Sequence, residues 1–494
     1  VSSGPIVKDK LHFRAAGSWR EFDGLHDNIT TGKKSDHLEE YSLRLRADYQ
    51  PSENLNLDLR LSRHQTTIGG AFVPVPDGNP NIIIPVQAGI NSKSKNRLTD
   101  ASIKIDYETS LGTLTSVTSW SEVSLDMLQQ LGQGIPNPTL GATQGRASES
   151  ISEDFRLQSS TDEKLRYVVG AYYLYYKPEI STTILFLDET FQPAGKLTVA
   201  QTENSSDAYA VYGQLNYDLS EDLELTLGLR YDRQKIEQID LLRDATRTDV
   251  SFDSLQPKVS LAYSLNPDSL VYATYSEGFR SGGFNAPSPL FPLVYDAEST
   301  ENVEIGMKTS FMDGSFIFNV AGFYTRDENQ PLQRLVVATQ GITTIEETEF
   351  KGLDVDATVH VGEGLVLTGG IGWIDSEIKD YDGSDTYVGN RAPLSYEFSY
   401  NVAAQYSMNF GEFDLVSRVD VSRNQGLYWH VDNEHKQSSV TLVNGRMALE
   451  FEKLELAVYA KNLFNEKYYQ EYCSRVFCGA PLILHGWEHF DNMA

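Results

Sequence analysis

The strongest constraint on this chain is a two-residue hydrophobic alternation that restarts, after a short polar turn, along nearly its whole length. The stretch PKVSLAYSLNPDSLVYATYSEGFRSGGFNAPSP, residues 257–289, shows the unit. Val259, Leu261, Tyr263 and Leu265 fall on one face and Lys258, Ser260, Ala262 and Ser264 on the other, the period of a strand with one apolar face. Asn266, Pro267, Asp268 and Ser269 supply turn chemistry, and a second alternating run follows from Leu270 to Phe279. Beyond it Arg280, Ser281, Gly282, Gly283, Phe284, Asn285, Ala286 and Pro287 make a loop that cannot continue a ladder.

The same unit recurs. Leu11, Phe13, Ala15, Gly17 and Trp19 alternate with His12, Arg14, Ala16, Ser18 and Arg20. An arginine facing lipid at the bilayer midplane costs about 2–4 kcal/mol, so Arg14 and Arg20 are expected to face inward and Phe13 and Trp19 outward. Tyr41 to Tyr49, Leu55 to Leu61 and Leu223 to Tyr231 repeat the pattern, and a helix would scatter Arg44, Tyr41 and Leu45 over one face. Further pairs turn around residues 110–112, 161–164, 312–314, 362–364, Gly411 and 452–453, with outer faces carrying Ile103, Ile105 and Tyr107 and then a cluster of Tyr172, Tyr173, Tyr175 and Tyr176. Short turns alternate strictly with loops of roughly 13 to 34 residues, and a last strand is expected after Pro481. Segregated connection lengths describe a barrel that crosses a membrane, where a propeller or sandwich would mix them. The expected fold is all-β: an antiparallel transmembrane β-barrel with about 20 strands visible of an inferred 22, since residues 1 to 4 read as the tail of a preceding strand that needs a partner.

Composition agrees. Mean hydropathy is −0.36, and no apolar run approaches the roughly 18 residues of a spanning helix, so any bilayer role falls to strands. A formal charge of −28 argues against a nucleic-acid partner, which needs a basic surface. Cys473 and Cys478, the two cysteines, are expected to form a disulfide in an oxidising compartment, worth roughly 2 kcal/mol for so small a loop, with two free thiols as the alternative.

Five segments resemble the TonB-dependent outer-membrane receptors, especially the ferric-siderophore type: VYATYSEGFRSGGFN at 271–285, ESTENVEIGMKTSFMDGSFIFNVAGFYTRDENQ at 298–330, FKGLDVDATV at 350–359, GNRAPLS at 389–395 and VYAKNLFNEKYY at 458–469. The resemblance covers nearly the whole chain and implies a barrel portion, residues 1–494, with the signal peptide, TonB-binding motif, plug domain and first strands missing. It implies a receptor of the bacterial outer membrane that binds an iron chelate at extracellular loops and imports it with TonB-coupled energy. The implied partners are the TonB–ExbB–ExbD complex through the missing N-terminal region, outer-membrane lipid and lipopolysaccharide, and the ligand itself. GAPLILHGWEHFDNMA departs from the alternating, aromatic-ending final strand of such barrels.

No catalytic constellation stands out: HExxH, Gly-x-Ser-x-Gly and phosphate-binding loops are all missing from the sequence, and YDGSDTYVGN at 381–390 lacks the acidic spacing of a calcium loop. The expectation is a non-enzyme without a resident cofactor or metal, its substrate an iron chelate. Arginine and aromatic groups suit an anionic, aromatic chelate by charge pairing and stacking. Arg280, Phe284, Asn285, Arg334, Arg391, Tyr428, Trp429 and His430 fall at or near strand tops and are the candidate substrate contacts, with ordinary loop packing as the competing reading for each. The apolar IIIP at 82–85 is expected to pack on its own loop. Haem, vitamin B12, nickel chelates and glycans remain open as substrates, and a passive porin is the alternative function, with an outer-membrane enzyme the more remote one.

Overall fold

The computed structural model describes residues 1–70, 73–74, 83–130, 140–190, 192–336, 339–381, 385–469, 471–473 and 482–485. Its main feature is one sheet of 20 strands. In chain order these are β1 (Ser2–Val7), β2 (Leu11–Phe22), β3 (Leu38–Ser52), β4 (Leu55–Ile68), β5 (Lys93–Thr109), β6 (Gly112–Gln130) and β7 (Leu140–Gln158). There follow β8 (Leu165–Leu187), β9 (Pro193–Asp218), β10 (Leu223–Asp240), β11 (Thr246–Asn266), β12 (Ser269–Arg280), β13 (Glu298–Phe311) and β14 (Phe316–Val336). The wall ends with β15 (Thr339–Val361), β16 (Leu365–Asp380), β17 (Phe398–Asn409), β18 (Asp414–Gln425), β19 (Val440–Glu450) and β20 (Glu455–Ala460). Each pairs antiparallel with the next, and among the described residues the pairing leaves β1 and β20 as its two edges.

The alternation dictates the two faces. Val169, Val211, Leu215, Leu227, Leu229, Val259, Leu261, Val303 and Ile305 stand exposed on the outside, and Trp19 is 65% exposed there, as its position opposite Arg20 requires. The other face carries charge: Arg46 and Arg60 both pair with Asp58, Arg156 with Asp154, Arg230 with Asp232, and Arg166 with Asp218 and Glu224. Neighbouring cross-strand partners make such pairs geometrically easy, and a wet lumen keeps each worth little in stability. The accessible surface is 27774 Å², where a compact chain of this mass would expose about 18,000 Å², so the wall is bare on both faces.

One end is closed by tight turns. At β11–β12 the Asp268 amide donates to Asn266 Oδ1 at 2.9 Å, and at β13–β14 Met312, Asp313 and Gly314 all take positive φ, which lets the chain reverse within a few residues.

The opposite end departs from expectation in three places. The stretches read as long loops after β8, β10 and β14 continue as paired ribbons, up to Leu187 opposite Pro193, Asp240 opposite Thr246 and Val336 opposite Thr339. Above the bilayer both faces of a strand meet water, so KLTVAQTENSS and its like need no apolar face and lose the signal that marks the lower strands. The Tyr cluster also divides: Tyr173 packs on Tyr209 with ring centroids 5.0 Å apart, while Tyr172 lies on the charged face under Arg230. The strand expected after Pro481 does not join the wall, because Leu482–His485 pairs with Glu471–Cys473 and with Val73–Pro74. The count of 20 is met instead by Ser2–Val7. Cys478 lies outside the described residues, and with it the expected disulfide to Cys473.

Candidate functional site at the outer mouth

The long connections meet at one end and hold each other through asparagine side chains. Asn28 Nδ2 donates to Ala88 O at 2.8 Å while its Oδ1 accepts from Ala88 N at 3.3 Å. Asn285 does the same to Ile342, with Nδ2 donating to the carbonyl at 2.8 Å and Oδ1 accepting from the amide at 2.6 Å. Asn433 repeats it on Arg391, at 3.0 and 2.8 Å. A carboxamide presents the same donor and acceptor pair as a peptide group, so each of these residues supplies one rung between segments that do not pair with each other as strands. Each spares two backbone groups from burial without a partner.

Apolar packing completes the mouth. Ile345 of β15, Ile378 of β16, Tyr381 and Val431 form a buried cluster with Leu332 and Tyr387 against it, tying the β14–β15 hairpin to the connections 381–397 and 426–439. Phe291 lies over Gly341, where any Cβ would sit about 2.3 Å from the ring. Of the IIIP segment at 82–85, Ile82 lies outside the described residues, Ile83 is exposed, and Ile84 packs on Val86 and Ala88 with its carbonyl bonded to His26 Nδ1 at 3.0 Å.

The candidate contacts separate within this frame. Arg280 ends β12 with a side chain 60% exposed, and its Nη2 pairs with Glu298 Oε2 at 2.5 Å. Phe284 is half-buried in a two-residue ribbon, Gly283–Phe284 against Val294–Tyr295. Asn285 is buried, its amide spent on Ile342 and on Pro292 O at 2.8 Å, and its backbone tied to Leu293 and Gln238. Arg334 is half-buried on the β14 extension, across from Gly341. Arg391 is only 18% exposed, held by Asp375 Oδ1 at 3.1 Å and Ile374 O at 2.6 Å. Tyr428 lies under Lys436 Nζ, 5.2 Å from the ring centre, and Trp429 is buried. His430 stands 6.5 Å from the ring of Tyr472, and His435 only 4.5 Å from it. The structure therefore brings Tyr428, Trp429 and His430 together on one connection, joins Arg391 to that connection through Asn433, and leaves Arg280 and Phe284 on another.

Burial holds His430 below the usual imidazole range, opposed by Asp432. Burial also pushes the phenols of Tyr295 and Tyr396 up. His435, Lys436, Glu298 and Asp327 escaped sequence reading: the first two are gathered by how the connections fold, the last two by the register between β13 and β14. Among the described residues no group of three or more His, Cys, Asp or Glu is placed to hold a metal ion.

Below the mouth the lumen wall carries a second polar patch. The Tyr212 hydroxyl donates to Asp154 Oδ2 at 2.9 Å, and Arg230 stands 5.5 Å from the Tyr212 ring centre while forking onto Asp232 at 2.6 and 2.7 Å. Gln256 adds a bond to the same carboxylate at 2.8 Å.

An antiparallel wall with an apolar outside, a charged lumen, tight turns at one end and interlocked connections at the other is an outer-membrane type of β-barrel. The family described as TonB dependent receptor-like, beta-barrel, matches residues 15–463, and the chain belongs to that family. Its place is the bacterial outer membrane. Among curated relatives, the ferric-pyoverdine 358 receptor of Pseudomonas putida is 23% identical over 76% of this chain and 46% of its own length. The ferrioxamine B receptor of Salmonella typhimurium is 25% identical over 35% of this chain and 23% of its own length. The chain thus spans less than half the length of these relatives. Among solved structures, the ferric yersiniabactin uptake receptor FyuA of Yersinia pestis superposes with a TM-score of 0.82 at 17% identity, over 98% of this chain and 74% of that one. The siderophore receptor PiuA of Acinetobacter baumannii gives 0.76 at 16%, over 94% and 75%. At such identities these two likenesses speak for the fold.

Proposed function

We propose that this chain is the wall and mouth of a receptor that takes a ferric-siderophore-like substrate from outside and passes it to the periplasm with TonB-derived energy. The observation that carries the reading is the family match across residues 15–463, and the descriptions of its curated relatives as ferric-pyoverdine and ferrioxamine receptors support the substrate class. The iron chelate is cargo, and the reading needs no resident cofactor and no catalytic group. Arg280, with its exposed guanidinium, and the Tyr428–His430 segment are the chain's contributions to capture. In this reading a plug fills the charged lumen, a preceding motif engages TonB with ExbB and ExbD, further strand pairing joins the free edges of β1 and β20, and lipopolysaccharide surrounds the upper wall.

The test is uptake of labelled ferric siderophores, haem and vitamin B12 by cells carrying the full-length gene, with and without TonB. TonB-dependent uptake of a ferric siderophore, weakened by Arg280→Ala, is expected. Equal uptake without TonB would replace this reading with a passive porin.

A further inference from the structure

Arg280 and Glu298 are the residues on either side of the connection 281–297, and they pair directly across β12 and β13. The next strand brings a second carboxyl to the same place. Asp327 of β14 stands three residues above Tyr324, at the level where the outer face turns charged with Arg326 paired to Glu328 and Glu347, and lies opposite Thr300 of β13 and Thr348 of β15. It is only 6% exposed and Thr348 is fully buried, and neither Asp327 Oδ1 nor Thr348 Oγ1 has a hydrogen-bond partner. Glu298 lies two residues from Thr300 on the same face of β13, so its carboxyl and that of Asp327 are diagonal neighbours across the two strands.

Two carboxylates this close cannot both ionise cheaply, and a single proton between them satisfies both. The surroundings offer little else. Among the described residues Arg280 from β12 is the cation that opposes Asp327, Tyr295 of the connection faces Arg280, and Thr348 of β15 carries no charge. Glu346, the next residue of β15 on that face, accepts from Thr344 Oγ1 at 3.4 Å. We propose that Asp327 and Glu298 share one proton, and that its loss tightens the acidic hold on Arg280 and withdraws that guanidinium from anionic ligands at the mouth. Burial and the Glu298 carboxylate push Asp327 up to about 7, with Arg280 opposing, so the change falls near neutral pH. Its consequence for substrate rests on the transport reading above; the proton site itself does not.

The test uses the intact receptor in detergent and no siderophore. Infrared spectroscopy looks for a protonated carboxyl at pH 6 that is gone at pH 8.5, and mass spectrometry follows labelling of Arg280 by phenylglyoxal relative to Arg243. The expected result is a carboxyl signal in wild type that Asp327→Asn abolishes. Arg280 labelling is expected to fall relative to Arg243 by about five-fold over that range in wild type only, the size of one added charge about 4 Å away when screened as in bulk water. Glu298→Gln, which leaves a single acid, should shift the loss of the signal to lower pH. Absence of a protonated carboxyl in wild type, or an equal fall of labelling in Asp327→Asn, overturns the proposal.

Discussion

The side chain of Asn285 and the backbone of Ile342, 57 positions apart in sequence, bond to each other twice, as two peptide groups would across a sheet. Because the same arrangement joins Asn28 to Ala88 and Asn433 to Arg391, the outer mouth is held by a repeated chemical device.

That device makes a specific demand on chemistry. Asn285→Asp keeps size and acceptor but loses the donor to Ile342 O and sets a carboxylate against that carbonyl. The expected loss is about 2–4 kcal/mol of local stability, seen as faster hydrogen exchange at residues 285–293 and 340–343 with unchanged exchange in the lower wall. Exchange that stays at the wild-type rate would remove the rung from the account.

Phe291 and Gly341 form a second tether for the same connection. Gly341→Val is expected to drive the Phe291 ring from its place, at about 1–3 kcal/mol of overpacking, while Gly314→Ala at the opposite end should leave the mouth unaffected. Protease sensitivity of the connection 281–297 separates the two.

His430 gives the connection 426–439 an acid limit. Its pKa is depressed by burial, so below an ordinary value of about 6.5 the unfolded or undocked segment binds a proton that the docked one resists. Stability of the docked segment is therefore whole above that pH and falls as pH drops through it. Exchange at residues 427–437 should rise at pH 5 relative to pH 7.5, after correction for intrinsic rates, and His430→Gln should flatten the dependence.

Asp327 sends the opposite signal. Its folded pKa of about 7 lies above the ordinary 3.8, so the folded wall holds an extra proton between those values and loses that advantage as pH rises through 7. Asp327→Asn is accordingly expected to raise stability at pH 8, on the order of 2 kcal/mol after solvent screening, and to change little at pH 4. Denaturant midpoints at the two pH values measure it.

The wall predicts its own tolerance. Leu261→Arg places a guanidinium among lipid chains and should reduce folding into liposomes, at about 2–4 kcal/mol, whereas Ser260→Arg points into the wet lumen and should fold near wild type. Similar folding of both would mean that the faces are misassigned.

These cases also show what a sequence of this kind discloses. Leu223 to Tyr231 announces its strand because one face must satisfy lipid and the other water, a demand written every second residue. The ribbons above the bilayer, such as Lys196 to Ser206, answer to water on both sides and carry no such mark, so they read as loops. The tight turns at Asn266–Ser269 and Met312–Gly314 were legible because turn chemistry is local. Asn285, Trp429 and Arg391 were recognisable as residues of the mouth, but their burial depends on partners such as Ile342 and Asn433 that only the folded connections bring near. Glu298 and Asp327 had no local signal at all, since their meeting depends on the register between two strands.

The ribbons have a practical corollary. From Tyr175 to Leu187 the β8 strand climbs roughly 25–30 Å beyond the aromatic level on hydrogen bonds to β9, and at its top Asp188 Oδ1 accepts from the amides of Thr190 and Gln192. Such a ribbon behaves as a mast. A peptide spliced between Glu189 and Gln192 would ride at a set height above the cell surface, displayed to antibodies, while the register that builds the barrel beneath it stayed as it is.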